Sequence, residues 1–470
     1  MKTKTTIIIA IGLIANFTLQ NNLFAQKIAA GDGQSLSICS NGTVMAWGLN
    51  GNGQLGDGTL VDKPYPVQVS GLTGIIAIAA GTEFSLALKN DGTLWSWGIN
   101  DFGQLGNGSV ASNSSTPVQV SGLSGITAIA CGKNHSLAIK SDSTVWVWGQ
   151  NTFNQLGNGN TVSSNIPIQV NGLTSIIAVA AGESHSLVLK NDGTAWGWGL
   201  NLGGQLADGT TTQRATPVQS WSSLTGIIAF SCGKNHSLAL RNDGTVWGCG
   251  LNHLGQLGNG VMNTTGCLCE VAPVQAIGLS QITSIEAGRF YSLARKNDST
   301  AWIWGENANG QLGDSTIISN ATPNEVSRIS GVLYVTGGRD YTVALKSDQT
   351  VWSWGQNANG QLGDSTTIQR ISPILISGVC PVTITGTREI QEQFNVNINP
   401  NPNQGLFNVD LPQNSKNLKL LIFNLLGEVV YNVQLVGISN KVNVSQLPAG
   451  LYVIKISDEN HLITRKFIKQ

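Results

Sequence analysis

The chain has 470 residues, of which 11% are charged, and Lys plus Arg equals Asp plus Glu at 26 each. A neutral chain of this length suggests more than one domain and lacks the basic excess that nucleic-acid binding requires. Its 57 glycines, with Ser, Thr and Asn filling the stretches between apolar runs, point away from helices and toward short strands joined by tight turns.

The N-terminus reads as a secretory signal over residues 1–25. Lys2 and Lys4 precede an apolar run from Thr6 to Ala15, and Leu23-Phe24-Ala25 offers a small residue for cleavage before Gln26. That run falls short of the ~20 residues a membrane-spanning helix needs, and no other segment is a candidate span. The mature protein is therefore expected to be exported, with no membrane span.

From Lys27 onward one phrase keeps returning. Gly-Gln-Leu-Gly or a close variant places glutamines at Gln54, Gln104, Gln155, Gln205, Gln256, Gln311 and Gln361, at steps of 50, 51, 50, 51, 55 and 50 residues. A nearly constant period of this length marks an array of one supersecondary unit. Each unit reads as four strands. In the second copy these are Ile76–Ala80, Ser85–Lys89, Leu94–Gly98 and Pro117–Val120. Asp91-Gly92 between the second and third strands is a hairpin signal, because both central turn residues favour positive φ. A sheet of ~50 residues cannot bury both faces alone, so radial packing follows. The fold class is all-β, a seven-bladed β-propeller over residues 26–378. Lys27–Gly31 and Pro373–Ile376 are expected to complete one blade between them and so close the ring.

Twelve of the thirteen tryptophans fall in third strands, which argues for packing between blades rather than ligand stacking. Trp221 lies outside the pattern and is expected to be exposed. Cys131, Cys232 and Cys249 occupy positions that are Ala or Trp in other copies and read as buried packing residues. Cys39 sits where other copies carry Lys and reads as exposed; a bridge to Cys380 is one option that sequence alone cannot fix. Cys267 and Cys269 lie in an insertion found only in the fifth copy and are candidates for a disulfide.

Two phrases carry a family resemblance. Trp97 to Gly106 (Trp-Gly-x-Asn-x-x-Gly-Gln-Leu-Gly) and Gly233 to Leu240 (Gly-Lys-Asn-His-Ser-Leu-Ala-Leu) resemble the repeat of the regulator of chromosome condensation family, over roughly residues 27–378. The resemblance implies the same seven-bladed propeller. The founding member's activation of a nuclear small GTPase on chromatin does not carry over to a neutral chain with an export signal.

Residues 379–393 read as a linker. Beyond it, 394–470 alternates short strands with Gly and Pro turns, at Leu406–Leu411, Leu418–Asn424, Val429–Val436, Lys441–Val444, Leu451–Ser457 and Leu462–Lys469, as a small Ig-like antiparallel β-sandwich does. Asn399-Pro400-Asn401-Pro402, Asn424-Leu425-Leu426-Gly427, Leu447–Tyr452 and the basic end Arg465–Lys469 resemble the type A sorting domain of the type IX secretion system. The resemblance implies a Bacteroidota-type exporter as a partner of this segment, and a secreted or outer-cell-surface location.

No catalytic motif stands out, and no cofactor is expected. His135, His185 and His236 share one repeat position, but other copies place Gln34, Phe84, Tyr291 and Tyr341 there. That favours packing with a hydrogen-bonding tip over a metal site. Asp57, Asp208, Asp314 and Asp364 alternate with Asn at one site and read as turn caps. His253 stands isolated in a loop.

What varies against the constant frame is more informative. Two residues per unit follow the glycine that ends the first strand. Among them Asp32, Glu83, Lys133, Asn134, Glu183, Lys234, Asn235, Arg289, Phe290, Arg339 and Asp340 are expected to form a binding rim at one mouth of the propeller. The loop before each fourth-strand proline is a second variable zone, longest at Gly260–Ala272. The expected function is non-enzymatic binding of a protein or glycan. The alternatives are a secreted inhibitor of an enzyme, or a glycan- or lactone-acting enzyme with carboxylates converging in the channel.

Overall fold

The computed structural model describes residues 27–110, 112–380, 397–399, 405–410, 418–424, 429–435, 439–457 and 462–469. The signal segment 1–25 and residues 381–393 of the linker lie outside the described residues. Two compact units are present, Met1–Pro381 and Val382–Gln470.

The first unit contains seven four-stranded antiparallel sheets, at 28–68, 75–119, 126–169, 176–220, 227–275, 282–325 and 332–376, here blades 1 to 7. In every blade the strands pair in chain order. First strands of successive blades adjoin one another around the axis, so the first strand is innermost and the fourth outermost. The turns after the second strands form, but with one left-handed residue where the sequence predicts two: only the glycine position has positive φ, and Gly92 N donates to Lys89 O at 3.0 Å. In blade 2 Thr93 donates from N and Oγ1 to Asp91 Oδ1, and Gly92 takes φ 79°. Where Ser143, Ser299 and Gln349 replace that glycine, φ stays positive at 62–67°.

The Gly-Gln-Leu-Gly turn does more than reverse the chain. Its glutamine carbonyl is a latch for the following blade. Gln54 O accepts from Trp97 Nε1 at 2.8 Å and from Ser85 Oγ at 3.0 Å. The same Trp donation recurs at Gln104, Gln155, Gln256 and Gln311. The next indole also lies against the closing glycine: a Cβ on Gly56 would come within 2.8 Å of Trp97 Nε1. The conserved spacing therefore reflects a contact between blades as well as a turn.

Ring closure differs from the shared blade expected above. Residues 28–68 make blade 1 alone and 332–376 make blade 7 alone. The unit runs from innermost to outermost strand, so a chain that starts on a first strand and ends on a fourth leaves no blade incomplete. The seam between blades 7 and 1 closes with the ordinary latch, Gln361 O accepting from Trp47 Nε1 at 2.9 Å and Ser35 Oγ at 3.0 Å. A Cys39–Cys380 disulfide is added across it. Cys39 is thus buried rather than exposed.

Trp221 is also buried, at 1% exposure. It packs in one cluster with Ala207 and Cys249, and its backbone N–H donates to Ala207 O at 3.0 Å. Blade 5 carries Cys249 where other blades carry the latch indole, and the preceding closing glycine is Ala207. Trp221 supplies the apolar bulk that this seam lacks. Of the other cysteines read as buried, Cys249 is so, while Cys131 and Cys232 are recessed in the wall of the axial channel.

The second unit pairs Asn397–Asn399, Leu406–Asp410 and Ser439–Asn443 in one sheet. Val429–Leu435, Leu418–Phe423, Gly450–Ser457 and Leu462–Lys469 form the other. Alternating burial along Leu406–Asp410 puts Phe407 and Val409 into a core with Leu420, Ile422, Ile454 and Phe467. This is the expected small antiparallel sandwich. Among the described residues no helix is long and apolar enough to cross a membrane.

Candidate interaction face

Antiparallel blades put the loops between first and second strands on the same face as the latch turns and the loops before the fourth strands. Backbone hydrogen bonds tie neighbouring loops of the first set together around most of the ring. Asp32 N donates to Thr82 O, Thr82 N to Lys133 O, Lys133 N to Glu183 O, Lys234 N to Arg289 O, and Arg339 N to Gly31 O. Below the ring sit the packing residues. His135, His185 and His236 bond through Nε2 to Ser186, Ser237 and Ser292 of the next blade, at 3.1, 2.8 and 3.1 Å. Tyr341 donates to Gln34 O at 2.6 Å. Burial lowers the pKa of each histidine to about 3, so all three are neutral. Among the described residues no group of His, Cys, Asp or Glu is placed to hold a metal.

Each pair of variable residues divides its labour. The first member points to the axis: Asp32, Thr82, Lys133, Glu183, Lys234, Arg289 and Arg339 all line a channel-mouth cavity of about 220 Å³. Several second members turn outward toward the latch turns. Glu83 accepts from Asn52 Nδ2, Asn134 donates to Gln150 Oε1 at 3.2 Å, and Asn235 Oδ1 accepts from Gln205 Nε2 at 3.4 Å. Phe290 lies edge-on against His253, with Arg289 and Lys234 over its ring. His253 is therefore part of this face, not isolated.

The charges fall into two arcs. In one, Glu183 bridges Lys133 at 3.0 Å and Lys234 at 3.4 Å. In the other, Arg339 reaches Asp32 at 3.8 Å and Asp340 at 3.4 Å. Crowding against the mouth wall raises the Asp32 pKa to about 6, although Arg339 and Arg289 pull it down. Burial raises the Asp340 pKa as well, while Arg339 and Arg289 pull it down. Glu306 is raised by burial and by the Asp340 charge, and its Oε2 is buried without a hydrogen-bond partner.

Glu306 was not among the residues read from sequence. It follows the third-strand Trp-Gly, where other copies carry Leu49, Ile99, Gln150, Leu200, Leu251 and Gln356. That column also varies, and it could have been found by the same comparison. Asp57, Asp208, Asp314 and Asp364 stand away from the mouth, each accepting from a buried asparagine of its own turn.

An outer zone surrounds the mouth. Leu60, Val61, Val110, Val162, Val261, Ile317, Ile318 and Ile368 stand exposed on the loops before the fourth strands, in six of the seven blades. In blade 5 this loop carries the Cys267–Cys269 disulfide. On the opposite face a second concavity of about 530 Å³ has Lys27 as its one charged lining residue.

Residues 161–397 match the family model for the RCC1-like domain, half of the chain in one match. The chain belongs to the RCC1-like family. Regulator of chromosome condensation (RCC1) repeats match at 41–88 and 91–139, and a second repeat model at 25–54, 75–104 and 126–155. Residues 397–470 match a secretion system C-terminal sorting domain, which indicates type IX export to the cell surface or beyond.

Among relatives, the ultraviolet-B receptor UVR8 of Arabidopsis thaliana is 32% identical over 289 residues, covering 60% of this chain and 64% of the receptor. The probable E3 ubiquitin-protein ligase HERC6 of Homo sapiens is 38% identical over 245 residues, 50% of this chain and 19% of the ligase. The chain thus spans less than two thirds of either relative. Human WBSCR16 superposes with a TM-score of 0.61 at 26% identity, covering 68% of this chain and 86% of that one. Prp20p of Saccharomyces cerevisiae superposes at 0.66 and 21% identity, covering 84% and 93%, which speaks to the fold alone.

Proposed function

We propose that this RCC1-like propeller is an exported, non-enzymatic scaffold that docks a protein partner on the face carrying the channel mouth. The observation that carries this reading is the pairing of two zones on one face. A charged centre holds Arg289 and Phe290 beside each other, and aliphatic loop tips surround it in six blades. Fixed charges confer register and association rate, while exposed apolar side chains supply the area that binding buries. Aliphatic tips suit a polypeptide better than a glycan, which stacks on flat aromatic rings. Inhibition of a partner enzyme is one form this docking can take. The sorting domain supports delivery of the face to the cell surface or the medium.

The test is capture of partners from the secretome and from host extracts by the exported protein. A second bait carries Arg289→Glu and Arg339→Glu, and a third carries Asp91→Asn and Asp192→Asn on the opposite face. Protein partners are expected on the wild type and the third bait and to be lost from the second. Equal recovery on all three baits would contradict the reading.

A second reading rests on Asp32, Glu306 and Asp340. Three carboxyl groups with raised pKa values near one mouth are what general acid catalysis on a glycan or lactone uses. Turnover of a glycan or lactone panel that is abolished by Asp32→Asn would favour it over the scaffold.

A further inference from the structure

The loop before the fourth strand of blade 5 is the longest of its kind, and it accounts for the one repeat interval of 55 residues among intervals of 50 and 51. Its tip is Gly266-Cys267-Leu268-Cys269, bridged between the two cysteines. The blade does not need this bridge, since the same loop forms without one in the other six blades.

Three features set it apart from a structural disulfide. It joins residues only two positions apart, so it restrains little of the unfolded chain and adds little to stability. Leu268 between its two ends sits in the left-handed region, at φ 56°, a strained conformation for a leucine. Finally, its two ends differ in access: Cys267 is exposed, while Cys269 is buried at the start of the fourth strand, in register with Leu251. Exposed or strained disulfides are the exchangeable ones.

The loop would survive opening of the bridge. Asn252, the buried asparagine of the blade's latch turn, donates from N to Leu268 O at 2.8 Å and accepts from Asn263 N at 3.0 Å. Asn263 Nδ2 also reaches Cys269 O at 3.2 Å. The two thiols would stay side by side, ready to close again.

We propose that Cys267–Cys269 is a thiol–disulfide exchange site that oxidises a dithiol substrate. A substrate thiolate attacks the exposed Cys267 sulfur, the Cys267–Cys269 bond breaks, and Cys269 leaves as a thiolate that takes up a proton. The second substrate thiolate then attacks its own sulfur in the mixed disulfide and displaces Cys267. The substrate is oxidised to its disulfide and the protein is left with two thiols, a two-electron exchange. Re-oxidation in the test below comes from oxidised glutathione.

The chain carries its own reference in Cys39–Cys380, which spans 341 positions with Cys39 buried and Cys380 half-buried. The full-length exported protein is equilibrated in graded mixtures of reduced and oxidised glutathione, and each pair is quantified by differential alkylation. Cys267–Cys269 is expected to open at a reduced-to-oxidised ratio at least tenfold lower than Cys39–Cys380. Equal resistance of the two bridges would overturn the proposal. In a second arm, the protein is mixed with dithiothreitol or with a reduced two-cysteine peptide. One equivalent of substrate disulfide is expected, Cys267→Ser should abolish it, and Cys269→Ser, given oxidised glutathione, should accumulate a glutathione mixed disulfide at Cys267 with release of one reduced glutathione. Faster oxidation of the peptide would assign a polypeptide substrate, and faster oxidation of dithiothreitol a small thiol. An unchanged rate in Cys267→Ser would overturn the proposal, and an unchanged thermal midpoint in the double serine variant is the check that the fold is intact.

Discussion

The seam between blades 4 and 5 and the seam between blades 3 and 4 solve the same packing problem with different residues. At the latter, Trp198 donates to Gln155 O and lies over Gly157, where a Cβ would sit 2.8 Å from the indole. At the former, the closing glycine is Ala207, the indole is replaced by Cys249, and Trp221 enters from the fourth-strand side. Ser237 still donates to Gln205 O at 2.8 Å. The comparison shows that the backbone carbonyl of the latch is the fixed element, while the apolar volume over it can come from a different part of the chain.

That contrast predicts an equal cost for removing either indole and an unequal one for changing the closing residue. Removing Trp198 as Trp198→Ala should cost about 3–5 kcal/mol, the usual range for a large buried aromatic, and Trp221→Ala should cost as much at its own seam. Both are read from urea midpoints. A small loss for Trp221→Ala would mean that it does not stand in for the missing indole. Next in size, Gly157→Ala should destabilise by about 1–3 kcal/mol, because its φ is 64° and the indole leaves no room. Ala207→Gly should fall within about 1 kcal/mol of neutral, since φ is 53° there and relief of the left-handed strain offsets the lost methyl group and the extra freedom of the unfolded chain.

The pH dependence separates the frame from the mouth. The three histidines are neutral in the fold, with pKa values near 3 against an ordinary 6.5. The unfolded chain therefore binds more protons between these values. Their stabilisation is complete above pH 6.5 and is lost as pH falls toward 3, at up to about 1.4 kcal/mol per pH unit for each histidine. Asp32 has the opposite sign: its raised pKa makes the folded state the better proton binder, so its contribution declines as pH rises from 3.8 to about 6. Replacing all three histidines by Phe, the residue blade 2 carries as Phe84, should flatten the acid side of the profile. An unchanged slope would show that they are not held neutral by burial. At the mouth, Arg289→Glu and Arg339→Glu remove the cations that face Asp32 and Asp340 and should lower stability by about 1 kcal/mol, mostly through Arg339.

Much of the frame was legible in the sequence because period, hairpin turns and alternation are local signals. The third-strand tryptophans and the shared His/Tyr/Phe position read correctly as packing for the same reason. Two of the failures, at Trp221 and Cys39, are cases in which a residue's environment is set one blade away. Trp221 read as exposed because its partner is the gap left by Cys249, although the missing indole was visible. Cys39 read as exposed from the lysines in its column, yet Cys380 comes back to it across the whole ring. The shared closing blade failed on phase, since the units begin on an innermost strand. At the mouth the variable pairs were legible, but their split between axis and latch turns depends on side-chain direction. Glu306 was overlooked because it sits in the third-strand phrase that otherwise reads as constant.

The central claim is that the frame is invariant and the mouth-bearing face does the binding. The most direct measurement is the affinity of a captured partner for the wild type, for the Arg289→Glu, Arg339→Glu variant and for the Asp91→Asn, Asp192→Asn variant, at matched folded fractions. The account predicts at least tenfold weaker binding for the mouth variant and no change for the opposite-face variant. Equal affinity across the three, or loss only with the opposite-face variant, would contradict it.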